Sequence, residues 1–526
     1  NRPLLWCVML KVMEKQCEDS AAVTDTQKQC EDETAAADTQ KQGAVADPER
    51  LRERRSVMAD SNKIGKYELT ALIVGATIGS GIFGVNSDLA NAAAPGPVIL
   101  GWLIVGLGVW CPIAALNHLL LRYPKQDAGI FAYAGLSLGP LGEFISGWAY
   151  WLASWLGNLA FATIAMSALG TFWPVFQGGQ NLPSILLAML LTIGFTVIVS
   201  YGVEATALLN LIGTLAKLVP LLIFTIVAAL AFHWSTFVNN FWGAAAQSSR
   251  PILAVADQVK NSIMVMMWLF MGVESASVMA HRAKRQRDAV VASFGGWLIL
   301  LVVYLLISLL PYGVMTRAQL AGAAQPAMGT ILSQLVGPWG AALISLGLIV
   351  SVLVAWLSWT MLPAEAFLMM TKDRVLPRSF GRLNSHHAPT TALWVTAIVQ
   401  CLFLCSLLFT TYAYRFAYTL GTAAGLIVYF FVGLAQIKDG WQQRAYGQLV
   451  IGILLTIFEL LSMALAGWRQ VMILSLSLLP GFLIYWQARR TRKLRLAKNE
   501  WLAMGLISIL AVVSLVLILN GTIPIE

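Results

Sequence analysis

From Lys63 onward, long apolar runs alternate with short polar or basic segments. A membrane-spanning helix needs about 20 apolar residues. Thirteen runs meet that length: 68–93, 97–121, 139–173, 183–202, 205–232, 254–281, 290–315, 338–371, 390–411, 413–435, 447–466, 469–488 and 499–520. The pattern predicts an all-α, multi-pass membrane protein with about thirteen spans. Residues 1–57 have a different character, with 9 Lys/Arg, 11 Asp/Glu and a repeat of period 13. Lys15-Gln16-Cys17-Glu18-Asp19 recurs as Lys28-Gln29-Cys30-Glu31-Asp32. Such a segment cannot bury enough apolar surface to offset its ordering entropy. It is expected to be a disordered extension, and Met58, just ahead of span 1, suggests that it lies upstream of the native protein; a regulatory tail is the other reading. No signal peptide is expected, because the apolar stretch Leu4 to Leu10 is too short.

Composition agrees with the spans. Of 526 residues, 58% are hydrophobic and 12% charged, against about 45–50% and about 25% in soluble domains. The net charge of +9 sits in short clusters between apolar runs, which argues for the positive-inside rule and against nucleic acid binding. The six cysteines form no CxxC pair and have no histidine at metal spacing, so neither a disulfide framework nor a structural metal is expected.

The basic residues also predict orientation. With a cytoplasmic N-terminus, alternate loops carry twenty Lys/Arg on the inside and five on the outside. That bias predicts N-terminus in and C-terminus out. Six of the twenty, Arg489, Arg490, Arg492, Lys493, Arg495 and Lys498, lie in the loop between spans 12 and 13.

Two spans are interrupted. Span 1 holds four glycines in Gly75-Ala76-Thr77-Ile78-Gly79-Ser80-Gly81-Ile82-Phe83-Gly84, and span 6 holds Phe270-Met271-Gly272-Val273-Glu274-Ser275. Each break is followed about 60 residues later by a Gly-Pro-x-Gly sequence, Gly139-Pro140-Leu141-Gly142 and Gly337-Pro338-Trp339-Gly340. Spans 1–5 and 6–10 therefore read as two repeats, the second inverted because five is odd. Broken helices at matching positions of inverted repeats point to the midplane site of a secondary transporter. Glycines in membrane helices also serve close packing, but two matched breaks favour function.

An unwound helix exposes N–H groups on one side of the gap and carbonyls on the other, with opposite partial charges. The N–H groups around Ser80, Gly81 and Ile82 can hold a carboxylate, and carbonyls near Thr77, Ile78 and Trp268 can hold an ammonium group. Together they suit an α-amino acid. Glu274, two residues past Gly272, can counter a cationic substrate, carry a proton or cap a half-helix. Trp268, Tyr150, Trp155 and Trp359 lie at a similar level and can stack on a cation. Lys217 sits mid-span with no acid within seven residues, so it is expected to donate to carbonyls at the first break. Glu365 and Glu459 are further candidates for buried carboxylates, and His386-His387 reads as solvated. An intramembrane enzyme would need a converging nucleophile and base, and of the five histidines only His118 approaches membrane depth.

The residues of spans 1–12 resemble the amino acid–polyamine–organocation superfamily of permeases. Gly79-Ser80-Gly81-Ile82-Phe83 and Trp268-Leu269-Phe270-Met271-Gly272-Val273-Glu274-Ser275 are similar to its substrate-binding breaks. Tyr150-Trp151-Leu152-Ala153-Ser154-Trp155-Leu156-Gly157-Asn158 resembles the span-3 motif of arginine/agmatine antiporters, which implies that Tyr150 and Asn158 line the pocket and that Trp268 and Trp359 act as gates. Lys217, Ala283-Lys284-Arg285-Gln286-Arg287-Asp288 and Leu357-Ser358-Trp359-Thr360 followed by Glu365 look more like arginine/ornithine antiporters.

The resemblance implies a 5+5 inverted-repeat (LeuT-like) core over residues 58–435 with broken helices 1 and 6, and accessory helices over 436–526. The implied activity is arginine/ornithine exchange in the cell membrane, without enzymatic activity or a cofactor; a proton-coupled basic amino acid permease is the alternative, and a non-transporting receptor of the same fold a further one. The substrate-binding set is then Thr77, Ile78, Ser80, Gly81, Ile82, Tyr150, Asn158, Trp268, Gly272, Glu274 and Trp359, with Lys217 and Glu274 in coupling. Cationic amino acids and the bilayer are the expected partners, and a homodimer is left open.

Overall fold

The computed structural model describes residues 65–123, 130–202, 207–273, 284–409 and 413–520. Their long helices are α1 (Lys66–Thr77), α2 (Gly81–Ala92), α3 (Pro95–Arg122), α4 (Ala132–Leu169), α5 (Leu182–Ser200), α6 (Ala207–Leu230), α7 (Pro251–Phe270), α8 (Gln286–Leu309), α9 (Ala327–Val336), α10 (Pro338–Lys372), α11 (Thr390–Ser406), α12 (Ala413–Gln442), α13 (Tyr446–Ala466), α14 (Trp468–Thr491) and α15 (Lys498–Leu519). Among the described residues, eleven helices are long and apolar enough to cross a membrane. The pair α1 and α2, bent by 57°, makes a twelfth span. The ninth expected span is shorter than its apolar run: α11 has 17 residues and passes into a short 3-10 turn at Leu407–Phe409. The thirteen expected spans thus stand as twelve plus one short apolar helix.

Prolines and glycines explain many of the helix ends. Pro95, Pro251 and Pro338 open their helices, where a missing N–H costs nothing. Gly139 (φ 69°, ψ −160°) and Gly337 (φ 92°, ψ −179°) adopt nearly the same left-handed backbone, open to glycine without steric cost. Each is followed by proline, so the chain turns and a new helix begins. The two Gly-Pro-x-Gly sequences are thus the same structural device at matching places in the two repeats. Residues 132–138, expected as loop, form the helical lead-in to span 3, and α9 does the same before α10.

α4 packs against both α10 and α12 at the centre, with α6 on α10 and α13 on α12, while α7 packs on α2 and α3 and α8 on α1. Trp102, Trp356, Tyr304, Tyr418 and Phe144 are fully buried there. The outward faces of α5, α6 and α15 are also apolar, with Leu190, Leu222 and Ile509 exposed, as a lipid-facing surface requires. Glu365 is exposed on α10. The expectation of a buried carboxylate there is corrected, because its position turns out of the helix packing. Glu459 is fully buried, and neither carboxyl oxygen has a hydrogen-bond partner among the described residues.

Candidate substrate site at the helix breaks

α1 stops at Thr77 and α2 begins at Gly81, with Ile78 in an extended conformation (φ −66°, ψ 100°) between them. α7 stops at Phe270, and the chain turns through Met271 to Val273 with Gly272 at φ +101°. The breaks face each other: a Cβ on Gly272 would lie 3.6 Å from the Ala76 carbonyl oxygen and from Thr77 Cα. The continuation of span 6, including Glu274, lies outside the described residues.

Between the breaks is a cavity of about 30 Å³. Thr77, Ile78, Ser80, Gly81, Lys217, Trp268 and Trp359 all line it. Seven of the expected site residues, from four different spans, therefore meet at one place. Ile82 does not line the cavity and is fully buried. Asn158 stands behind Trp359, its Nδ2 donating to the Trp359 carbonyl at 3.3 Å. Tyr150 stands two turns away along α4, packed against Phe131 with ring centroids 5.8 Å apart, and Trp155 packs on Trp151 and Phe403. Neither ring lines the cavity; both pack against other aromatic side chains instead. Phe161, Leu269, Met271 and Ala355 complete the lining. Phe161 lies one turn after Asn158 on α4 and Ala355 one turn before Trp359 on α10, so helical spacing from the expected site residues would have found both.

Lys217 closes one end of the site. It is buried, and its Nζ donates to the carbonyl of Ile78 at 2.8 Å and to that of Gly75. These carbonyls belong to the last turn of α1 and the residue after it, where the helix end is partially negative. An ammonium there answers the dipole of the helix end. It also takes the Ile78 carbonyl, one of those expected to receive a substrate ammonium. The Trp268 carbonyl accepts the Met271 N–H at 3.2 Å. Each oxygen keeps a second lone pair.

On the opposite side, α2 presents its unsatisfied first N–H groups. The hydroxyl of Ser80 is buried and has no partner among the described residues. Trp268 leans over this end: a Cβ on Gly81 would lie 2.6 Å from its Nε1, so only glycine admits the indole here. Trp359 packs edge-on against Phe161 at 5.4 Å. The second half-helix, α2, is tied down as well, with Gln325 Nε2 donating to Gly84 O at 3.3 Å, Arg317 Nε to Ala90 O at 2.8 Å and Tyr312 OH to Ala93 O at 2.8 Å. Trp268 and Trp359 both face this narrow space from α7 and α10.

The family model for amino acid permeases matches residues 64–467. The chain belongs to the amino acid permease family. The described permease fold, with its broken first span, agrees. Among relatives of this permease, an arginine/ornithine antiporter of Latilactobacillus sakei is 46% identical over 471 residues, 88% of this chain and 99% of the relative. An arginine/ornithine antiporter of Lactococcus lactis subsp. cremoris is 36% identical over 86% of this chain and 89% of the relative. An arginine/agmatine antiporter of Chlamydia abortus is 32% identical over 86% of this chain and 96% of the relative.

Proposed function

We propose that this permease exchanges arginine for ornithine by alternating access. The observation that carries the proposal is the facing pair of helix ends: a half-helix N-terminus with a free, buried Ser80 hydroxyl opposite a half-helix C-terminus of opposite polarity. That pair suits the carboxylate and the ammonium of one α-amino acid. The arginine/ornithine antiporters named above support the choice of substrates.

In this reading Ser80, Gly81 and Ile82 N–H groups hold the carboxylate, and Thr77, Ile78 and Trp268 carbonyls hold the α-ammonium. Glu274 answers the side-chain cation, and Asn158 positions Trp359. Lys217 stands where a coupling cation would sit. Trp268 leaves the cavity with α7 when that half-helix swings away from Trp359 on α10, which opens room for substrate. Exchange of two monocations moves no net charge, so neither a membrane potential nor a proton gradient is needed to drive it. The distribution of basic residues over the loops supports an N-terminus in the cytoplasm and a C-terminus outside.

Competition against labelled arginine bound to the purified protein tests the substrate class. Ornithine is expected to displace arginine at concentrations where alanine does not. Equal displacement by neutral amino acids would remove the basic specificity. Gly81→Ala tests the site's geometry. The added methyl collides with the Trp268 indole, an overpacking of about 1–3 kcal/mol. The KM for arginine uptake is expected to change about tenfold with protein abundance unchanged; a wild-type KM would place the indole elsewhere during transport.

A further inference from the structure

The basic loop between spans 12 and 13 has no part in the exchange site. It stands at the mouth of an apolar groove of about 580 Å³ between α14 and α15. Leu479, Leu483 and Trp486 line one wall, and Trp501, Gly505 and Ser508 the other. On α14 these positions continue to Arg490 with spacings of four, three and four residues, which is one helix face. On α15 they lead back to Lys498 with spacings of three, four and three. Arg490 stacks its guanidinium over the Trp486 ring, 5.1 Å from the centroid. The groove is thus capped by one cation from each helix.

Its depth is that of one lipid leaflet. At 1.5 Å per residue, Leu479 lies about 16 Å from Arg490 and Ser508 about 15 Å from Lys498, against about 15 Å for half the hydrocarbon core. Within residues 485–508 no acid is free to neutralise the mouth. Glu500, the one carboxylate between 485 and 508, is buried, accepting from the Tyr485 hydroxyl at 3.1 Å and the Ala497 N–H at 2.8 Å. Nearby, Arg489 Nε and Arg492 Nη1 are buried without a partner among the described residues. Burial, and then the neighbouring Arg378 and Arg374, hold the Arg492 guanidinium below its ordinary value.

We propose that α14 and α15 hold an anionic glycerophospholipid, with an acyl chain in the groove and the phosphate on Arg490 and Lys498. Basic pockets between transmembrane helices at the membrane surface recognise anionic headgroups in this way. The occupant is a lipid rather than a second copy of the chain, because six basic residues at the mouth would face six more across a symmetric contact.

Native mass spectrometry of the full chain, titrated with dioleoyl phosphatidylglycerol or dioleoyl phosphatidylcholine, tests this. Wild type is expected to hold the glycerol lipid about tenfold more tightly than the choline lipid. The double substitution Arg490→Ala with Lys498→Ala should bring that ratio close to one. Gly505→Leu should weaken both lipids, because a Cβ there meets nothing within 4 Å and the side chain fills the groove without disturbing the fold. Equal affinity of wild type for the two lipids, or wild-type binding by Gly505→Leu, would overturn the proposal. So would a disulfide between two copies of Leu483→Cys that forms undiminished in excess phosphatidylglycerol, since a second copy would then cover the groove.

Discussion

Replacing Lys217 by methionine is expected to lower arginine exchange about a hundredfold while leaving the amount of folded protein nearly unchanged. Methionine keeps most of the length and volume of the side chain, so the packing between α6 and the first break survives. The ammonium does not. It donates to the carbonyls of Gly75 and Ile78, and hydrogen bonds to charged groups contribute about 1.5–3 kcal/mol each. Removing both frees the end of α1 from α6 and leaves its dipole unanswered. A net loss of about 3 kcal/mol in the transport-competent arrangement corresponds to about a hundredfold in rate. Lys217→Ala adds a cavity to the same electrostatic loss and should be at least as slow. Initial rates in proteoliposomes, with circular dichroism as the folding control, measure the effect. If the rate and its pH profile both stay at wild-type values, the lysine is a packing residue and its assigned role falls.

The second large effect is expected at Glu274. In the proposed arrangement its carboxylate faces the guanidinium of arginine or the side-chain ammonium of ornithine. Glu274→Gln keeps the shape and removes the charge. A charge-assisted hydrogen bond lost from a membrane-buried site is worth about 1.5–3 kcal/mol, so the KM for arginine should rise about tenfold to a hundredfold. Citrulline, the neutral analogue of arginine, should lose less than about twofold. The comparison between the two substrates isolates the charge term. An equal loss for both would make the residue structural and would leave the side-chain cation to the tryptophans.

Much of this site could be read from residue types, and the places where the reading stopped have physical causes. The first break was legible because four glycines crowd ten residues of an apolar run. Its limits were not. Gly75 and Gly84 remain helical, and they are small for another reason: a Cβ on Gly75 would lie 3.3 Å from Thr214 Oγ1, and one on Gly84 2.6 Å from Gln325 Oε1. Close packing and helix breaking draw on the same residue, so composition alone cannot separate them. Lys217 was legible because an unpaired cation in mid-membrane must find carbonyls, and the nearest broken helix supplies them.

Trp155 and Tyr150 show the opposite case. They share the expected level along the chain with Trp268 and Trp359, yet their side chains leave α4 toward Phe403 and Phe131. Which face of a largely apolar helix meets the site is decided by neighbours, and hydrophobicity carries little signal of it. Phe161 was overlooked for the same reason, as one aromatic among many. Glu365 was misplaced because a carboxylate within an apolar run looks buried until the packing of α10 is known.

The central claim is obligatory exchange. Proteoliposomes loaded with labelled arginine and diluted into ornithine, agmatine, lysine, histidine or plain buffer measure it directly. Release is expected with external ornithine, at a rate that an imposed membrane potential leaves unchanged, and no release is expected into plain buffer. Release into plain buffer, quickened by a proton gradient, would contradict the account and make the protein a proton-coupled permease.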